Sequence, residues 1–484
     1  MTDQHIIFAT FAAYLVMVFA IGLKALHRTH NQSDYILGGR KLGIWTTAIS
    51  AGASDMSGWL LLGLPGYAYL AGLEAIWIAI GLFLGTYLNW NLVAPRLRIE
   101  TQSLNNALTI PEYFECRFND STHLLRFISA LFILIFYFFY TSSGLVAGGK
   151  LFESVFGLSY QWAVIIGALT ILVYTCLGGF LAVSWTDLMQ GLLMALALSY
   201  VALFSIYSVS GFENLFNWIA IINPDLLDPY TSVSDGPLGF IGIVSLLGWG
   251  LGYFGQPHIL VRFMAIESVE MIPKAKSIAL AWTGITLVSA LLIGLSGIAI
   301  LGNQLQAGDS EKVFIELLHL LLHPIPAGIC LAAILAAIMS TADSQLLVAS
   351  SALSEDIYKI LNISATDKQL MLIGRATVIT LTLCATALAL QPDNNVLELV
   401  AYAWAGFGAT FGPVVILSLF WKSMLTSSAV AGMLSGGITV IVWKNIESSH
   451  RLFELYELVP GFIVAMGCIV LNQTFQQAIF RRGE

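Results

Sequence analysis

Ser50-Ala51-Gly52-Ala53-Ser54-Asp55-Met56-Ser57-Gly58-Trp59 places one carboxylic acid, three hydroxyls and two glycines inside an otherwise apolar stretch of membrane length. A charge at bilayer depth costs about 2.5–3.5 kcal/mol on insertion scales. Glycine weakens a helix by about 1 kcal/mol relative to alanine. A segment that only had to span would carry neither. The stretch reads as a helix that breaks to turn backbone carbonyls and hydroxyls towards a bound ion or solute. The rival reading is a helix contact built from small residues, with Asp55 paired to a distant arginine.

The surrounding chain sets the solvent. Of 484 residues, 57% are hydrophobic and 10% are charged. Soluble proteins average about 25% charged residues, so the composition implies an all-α integral membrane protein in contact with lipid. The net charge of −8 says little about orientation, which follows Lys and Arg. No basic run points to nucleic acid, and no segment suggests an obligatory protein partner. No nucleotide loop or metalloprotease motif occurs, so the chain does not read as an enzyme and needs no organic cofactor. Cys116, Cys176, Cys330, Cys384 and Cys468 show no metal-ligand spacing and read as packing residues.

Apolar blocks long enough to span occur near residues 6–23, 43–70, 75–95, 124–147, 161–183, 185–207, 238–258, 278–303, 325–351, 371–390, 395–420, 427–444 and 457–478. They predict about 13 helices and termini on opposite sides. With the N-terminus outside, about 17 Lys and Arg fall in inner segments and only Lys150, Lys312, Lys444 and Arg451 in outer ones. That bias supports an extracytoplasmic N-terminus and a cytoplasmic C-terminus. The first block has no Lys or Arg before it and no small-residue cleavage site after it, so it reads as a retained helix. The segment from Ser208 to Gly236 lacks Lys and Arg and reads as an outer loop with a short interfacial helix. The segment from Arg96 to Arg126 reads as an inner loop holding a short helix capped by Thr109.

A second interruption lies five blocks after the first. Gly248-Trp249-Gly250-Leu251-Gly252-Tyr253-Phe254-Gly255-Gln256-Pro257 carries four glycines and a proline in a membrane-length block. Interrupted segments at matching places in two halves mark an inverted-repeat transporter and its central site. A glycine seam with a proline kink is the alternative. Further on, Ala333-Ile334-Leu335-Ala336-Ala337-Ile338-Met339-Ser340-Thr341-Ala342-Asp343-Ser344 offers Ser340 and Thr341 as neutral oxygen donors. Hydroxyls and carbonyls hold a small hard cation at low net charge, so the ion can leave again. The same face is also ordinary helix packing.

Ser50–Trp59, Leu62-Gly63-Leu64-Pro65-Gly66, Gly178–Asp187, Gly248–Arg262 and Met339–Gln345 together resemble the sodium/solute symporter family, over about residues 5 to 480. Within it, the resemblance is to the bacterial branch that takes up proline. The resemblance implies a LeuT-type 5+5 inverted-repeat core. One extra helix (6–23) would precede it, the repeats would span 43–207 and 238–420, and two extra helices (427–478) would follow, all in one transporter domain. It implies sodium-coupled uptake of L-proline across a bacterial inner membrane by alternating access. A sodium symporter for another amino acid or small carboxylate is the nearest rival, and a solute-sensing module the next.

Carried over residue by residue, the resemblance places Na⁺ on the carbonyls of Ala53, Met56 and Ala337 and the hydroxyls of Ser340 and Thr341. It places the solute among Ser57, Gly58, Trp59, Tyr140, Trp249, Tyr253 and Pro257. The last three fall at i, i+4 and i+8, which keeps them on one side of an α-helix. Aromatic walls suit the pyrrolidine ring and its ammonium, and free N–H groups at a helix break suit its carboxylate. Asp55, Asp187 and Arg40 are implied in coupling or gating. The sequence leaves rivals for each: packing for Trp249 and Tyr253, a helix N-terminal acid for Asp187, and a positive-inside anchor for Arg40.

Overall fold

The apolar blocks fold as helices, because a chain in hydrocarbon must satisfy its own N–H and C=O groups. The computed structural model describes residues 3–26, 32–175, 179–232, 236–362, 364–391, 395–446 and 450–483. Among them, ten helices are long and apolar enough to cross a membrane, and Tyr160–Val173, Phe212–Ile222 and Phe240–Gly255 are shorter apolar helices.

Both interruptions read from the sequence are real. Block 43–70 divides into Ile44–Ala53, a turn through Ser54–Ser57, a π-wound stretch Trp59–Gly63 and Leu64–Ala71. Block 238–258 divides into Phe240–Gly248, a 3₁₀ stretch Trp249–Gly255 and Pro257–Ala265, with Gln256 extended between them. The glycines permit close approach here. A Cβ on Gly250 would lie 2.2 Å from the carbonyl oxygen of Gly81, and one on Gly58 would lie 2.6 Å from the Cβ of Ala147.

Some boundaries move. Block 161–183 ends as helix at Thr175, and the next helix, Phe180–Ser208, starts from an extended Gly179 rather than at 185. Cys176 and Gly178 lie outside the described residues. The expected capped helix is present as Ile110–Phe118, with Thr109 Oγ1 accepting from the N–H of Glu112 at 3.1 Å. The segment from Ser208 to Gly236 holds a short helix, Phe212–Ile222, followed by a two-residue antiparallel pairing of Thr231–Ser232 with Gly236–Pro237.

The N-terminal helix Asp3–Leu26 packs on Pro324–Leu353 and Phe180–Ser208. A polar pin joins the three. Gln190 Nε2 donates to Tyr14 Oη at 2.7 Å, and Tyr14 Oη donates to Met339 Sδ at 3.6 Å. At the other end of the chain, Thr426–Lys444 and Leu458–Gly483 pack on each other and on Val396–Phe420.

Candidate functional site

The first break frees carbonyls that other helices then claim. Asp55 and Met56 N–H both donate to Gly52, at 3.1 and 2.8 Å, which closes the last turn and leaves the Ala53 and Asp55 carbonyls outside the helix ladder. Ser340 Oγ lies 2.8 Å from the Ala53 oxygen and 3.1 Å from that of Ala337, and Thr341 Oγ1 lies 3.3 Å from the Ala53 oxygen. Ser340 has one proton for two carbonyls, so this cluster holds more lone pairs than protons. An excess of oxygen lone pairs is what a small cation requires. Ala53, Ala337, Ser340 and Thr341 therefore converge. Met56 occupies the same turn with a buried side chain, and Thr286 Oγ1 donates to its Sδ at 3.7 Å.

Asp55 faces the other way. Its Oδ2 accepts from Tyr253 Oη at 2.8 Å, and its Oδ1 meets no donor among the described residues. Its carbonyl accepts from Tyr140 Oη at 2.9 Å and Trp59 Nε1 at 3.1 Å. A tyrosine, not a distant arginine, is the partner of Asp55. Ser57 is buried, with its Oγ 3.4 Å from the N–H of Trp59. Gly58 faces the helix Leu124–Phe156 and serves close packing.

The second break is aromatic. Trp404 Nε1 donates to the Trp249 carbonyl at 2.7 Å, and Asn89 Nδ2 to that of Tyr253 at 3.0 Å. Trp249 lies against Trp59, with ring centroids 6.3 Å apart. Tyr253 sits edge-on to Trp404, at 5.0 Å. The single face expected for Trp249, Tyr253 and Pro257 does not form. The 3₁₀ winding has a period of about three residues, and the extended Gln256 then resets the direction of the chain. Pro257 lines a separate small cavity with Ile36, Pro111, Phe180, Leu347 and Asp356. Trp59, Tyr140 and Tyr253 thus bond to Asp55, Trp249 lies against Trp59, and Pro257 lines the other cavity.

A charged layer lies beside the oxygen cluster. Arg262, counted by sequence among the inner-loop cations, is fully buried. It donates to Asp187 Oδ2 at 3.0 Å, Ser50 Oγ at 3.1 Å, Ser344 Oγ at 2.5 Å and the His258 carbonyl at 2.6 Å. Asp187 lies inside the helix that begins at Phe180 and is fully buried, so it is not a helix N-terminal acid. Asp187 Oδ1 and Asp343 Oδ2 meet no donor among the described residues. Asp343 accepts from Thr175 Oγ1 at 2.5 Å rather than from an arginine. Sequence reasoning missed Arg262. The usable signal was its place in Pro257–Ala265, where it and His258 are the polar residues of an otherwise apolar helix.

Arg40 is no surface anchor. It is buried at a left-handed backbone position (φ 55°). It donates to Asn106 Oδ1 at 2.7 Å, Thr101 Oγ1 at 3.2 Å and the carbonyls of Met264 and Ala107 at 2.6 and 2.8 Å. Burial, then the nearby Arg98, lowers its guanidinium to about 10, which leaves it charged at neutral pH. Alongside, Leu42 N–H donates to the Ala265 carbonyl and Glu267 N–H to that of Leu42, both at 3.1 Å. The segment before the first broken helix is thereby tied to the end of the second.

Residues 35–436 match the family model described as the sodium:solute symporter family. A sodium/proline symporter of Salmonella typhimurium is 50% identical over 473 residues, covering 96% of this chain and 92% of the relative. One from Staphylococcus aureus is 45% identical over 464 residues, covering 94% and 90%. Among solved structures, a substrate-bound, outward-open Na⁺-coupled sialic acid symporter superposes with a TM-score of 0.79 at 20% identity, covering 97% of this chain and 98% of that one. A nucleobase-cation-symport-1 family transporter in a closed conformation gives 0.54 at 12% identity, covering 92% and 96%. The fold is that of the LeuT-type, multi-pass, sodium-coupled symporters. The relatives are named as transporters, not enzymes.

Proposed function

Because this chain belongs to the sodium:solute symporter family, we propose that it couples inward movement of Na⁺ to uptake of L-proline. The observation that carries the reading is the paired breaks, one oxygen-rich at Ala53 and Ser340, one aromatic at Trp249 and Tyr253, meeting at Asp55. Na⁺ binds the carbonyls of Ala53, Met56 and Ala337 with the hydroxyls of Ser340 and Thr341. Proline binds beside Asp55 among Trp59, Tyr140, Trp249 and Tyr253, with Ser57 and Gly58 shaping the break. Pro257 acts further along the path.

Ion binding steadies the first broken helix and preorganises the solute site, a reciprocal coupling of about 1–3 kcal/mol. The donor-free oxygens of Asp187 and Asp343 support an ion route towards the cytoplasm. The ties of Arg40 support a gating role at the inner ends of both broken helices. The repeats span 43–207 and 238–420, flanked by one helix before and two after. The protein resides in a bacterial inner membrane with its N-terminus extracytoplasmic and its C-terminus cytoplasmic, where about 2.3 kcal/mol per charge per 100 mV adds to the gradient.

The test is labelled L-proline uptake into proteoliposomes under an inward Na⁺ gradient, against an equal K⁺ gradient. Accumulation above equilibrium with Na⁺ alone is expected. Uptake indifferent to the cation, from folded protein, removes sodium coupling. Na⁺-driven uptake of another solute with no proline competition removes proline.

A further inference from the structure

The aromatic cluster at the second break has a member from outside the ten-helix core. Tyr456 lies just before the C-terminal helix Leu458–Gly483, and its ring stacks on Trp249 with centroids 5.3 Å apart and planes 21° from parallel. Trp249 therefore neighbours a ring from the first break, Trp59, and a ring from the C-terminal pair of helices.

Tyr456 is held at both ends. Its backbone N–H donates to Ser245 Oγ at 3.0 Å on the helix leading into the break. Its Oη donates to the Ala401 carbonyl at 2.6 Å on the helix Val396–Phe420. The next turn locks the register: a Cβ on Gly248 would lie 2.5 Å from Val459 Cγ2. Trp443 Nε1 fixes the preceding Leu455 carbonyl at 2.9 Å. With its hydroxyl bonded to one helix and its backbone N–H to another, the Tyr456 ring is a plate with little freedom to tilt. An indole stacked on such a plate has few orientations left, and fewer orientations mean less entropy lost when a ligand binds against it.

We infer that Tyr456 is a positioning residue of the solute site: by stacking on Trp249 it sets the angle of the indole that the solute meets, so the C-terminal helix pair takes part in solute selection. The inference rests on the proline-site reading above. It differs from a purely structural role in where its loss is felt. Removing a packing residue lowers the amount of folded protein. Removing a positioning residue raises the proline KM in the protein that remains.

The experiment is Na⁺-driven uptake by the purified full chain in proteoliposomes. Tyr456→Ala is expected to raise the proline KM about three- to tenfold, the range one aromatic pair supports, with kcat within about twofold. Tyr456→Phe keeps the ring but loses the tie to the Ala401 carbonyl, and is expected to give a KM between those of the parent and Tyr456→Ala. If Tyr456→Ala is not recovered, Tyr456→Leu fills much of the space without a ring and carries the same expectation. On a Trp249→Ala background, the Tyr456 change is expected to add nothing to KM. Trp249→Ala with a raised KM, alongside Tyr456→Ala and Tyr456→Leu with the parent KM, overturns the inference alone. An unchanged KM in Trp249→Ala overturns the proline-site reading beneath it.

Discussion

At the first break, hydroxyls from other helices reach into the backbone, Ser340 and Thr341 to Ala53 and Tyr140 to Asp55, and the break's own Trp59 closes back on Asp55. At the second, the backbone is wedged against neighbouring backbone, Gly250 on Gly81 and Gly255 on Phe407, while its side chains form the surface on offer. Both breaks leave carbonyls that Trp404, Asn89 or hydroxyls must satisfy. They differ in what they bring together, oxygen at one and aromatic rings at the other. One architectural device, an unwound turn at mid-membrane, thus yields two chemistries, according to whether small polar or small apolar residues open it.

The sharpest way to break this comparison is to fill a contact at the second break. Gly250→Ala drives a Cβ into the Gly81 carbonyl at 2.2 Å, where no flexible side chain can yield. Overpacking of this kind costs about 1–3 kcal/mol or more. The expected result is a several-fold smaller yield of monodisperse protein with a lowered Tm, read by gel filtration and thermal unfolding. Wild-type yield and Tm would show that the second break tolerates a backbone shift.

Next in size is Ser340→Ala with Thr341→Ala. Removing two hydroxyls from the oxygen cluster is expected to raise the Na⁺ half-saturation about a hundredfold or more, at roughly 1.5–3 kcal/mol per charge-assisted contact. Proline KM at saturating Na⁺ is expected to move far less. Equal shifts in both would merge the two breaks into a single site.

The smallest effect is expected from Tyr140→Phe. Trp59 Nε1 and the Ser57 N–H still serve the Asp55 carbonyl, so one of three donors is lost. The cost is about 0.5–1.5 kcal/mol, or roughly two- to tenfold in proline KM. An effect on Na⁺ half-saturation alone would assign Tyr140 to the ion instead.

The sequence made the breaks legible because glycine, serine and aspartate are costly in a membrane helix, and that cost is local. Ser340 and Thr341 stood out as oxygen donors on an alanine-rich helix, with packing as the rival until the resemblance, and Thr109 was legible as a cap because capping is read within one turn. What stayed hidden is set by pairing across the fold. Arg262 and Asp187 stand 75 positions apart, and only packing brings them to 3.0 Å. The shared face of Trp249, Tyr253 and Pro257 does not form, because a periodicity argument assumes the winding and residues 249–255 wind as 3₁₀. Tyr456 sits in a connecting segment whose sequence carries no periodic signal.

The pin at Tyr14 reaches beyond the N-terminal helix. Its sulfur acceptor, Met339, is the residue before Ser340, so the N-terminal helix stands one residue behind the oxygen cluster. For laboratory handling, this makes the two ends of the chain unequal. A bulky reporter or a deletion at the N-terminal helix disturbs the wall behind Ser340. The last turns of the C-terminal helix lie remote from Tyr456 along their own axis and are the safer place for an affinity handle or a fluorophore.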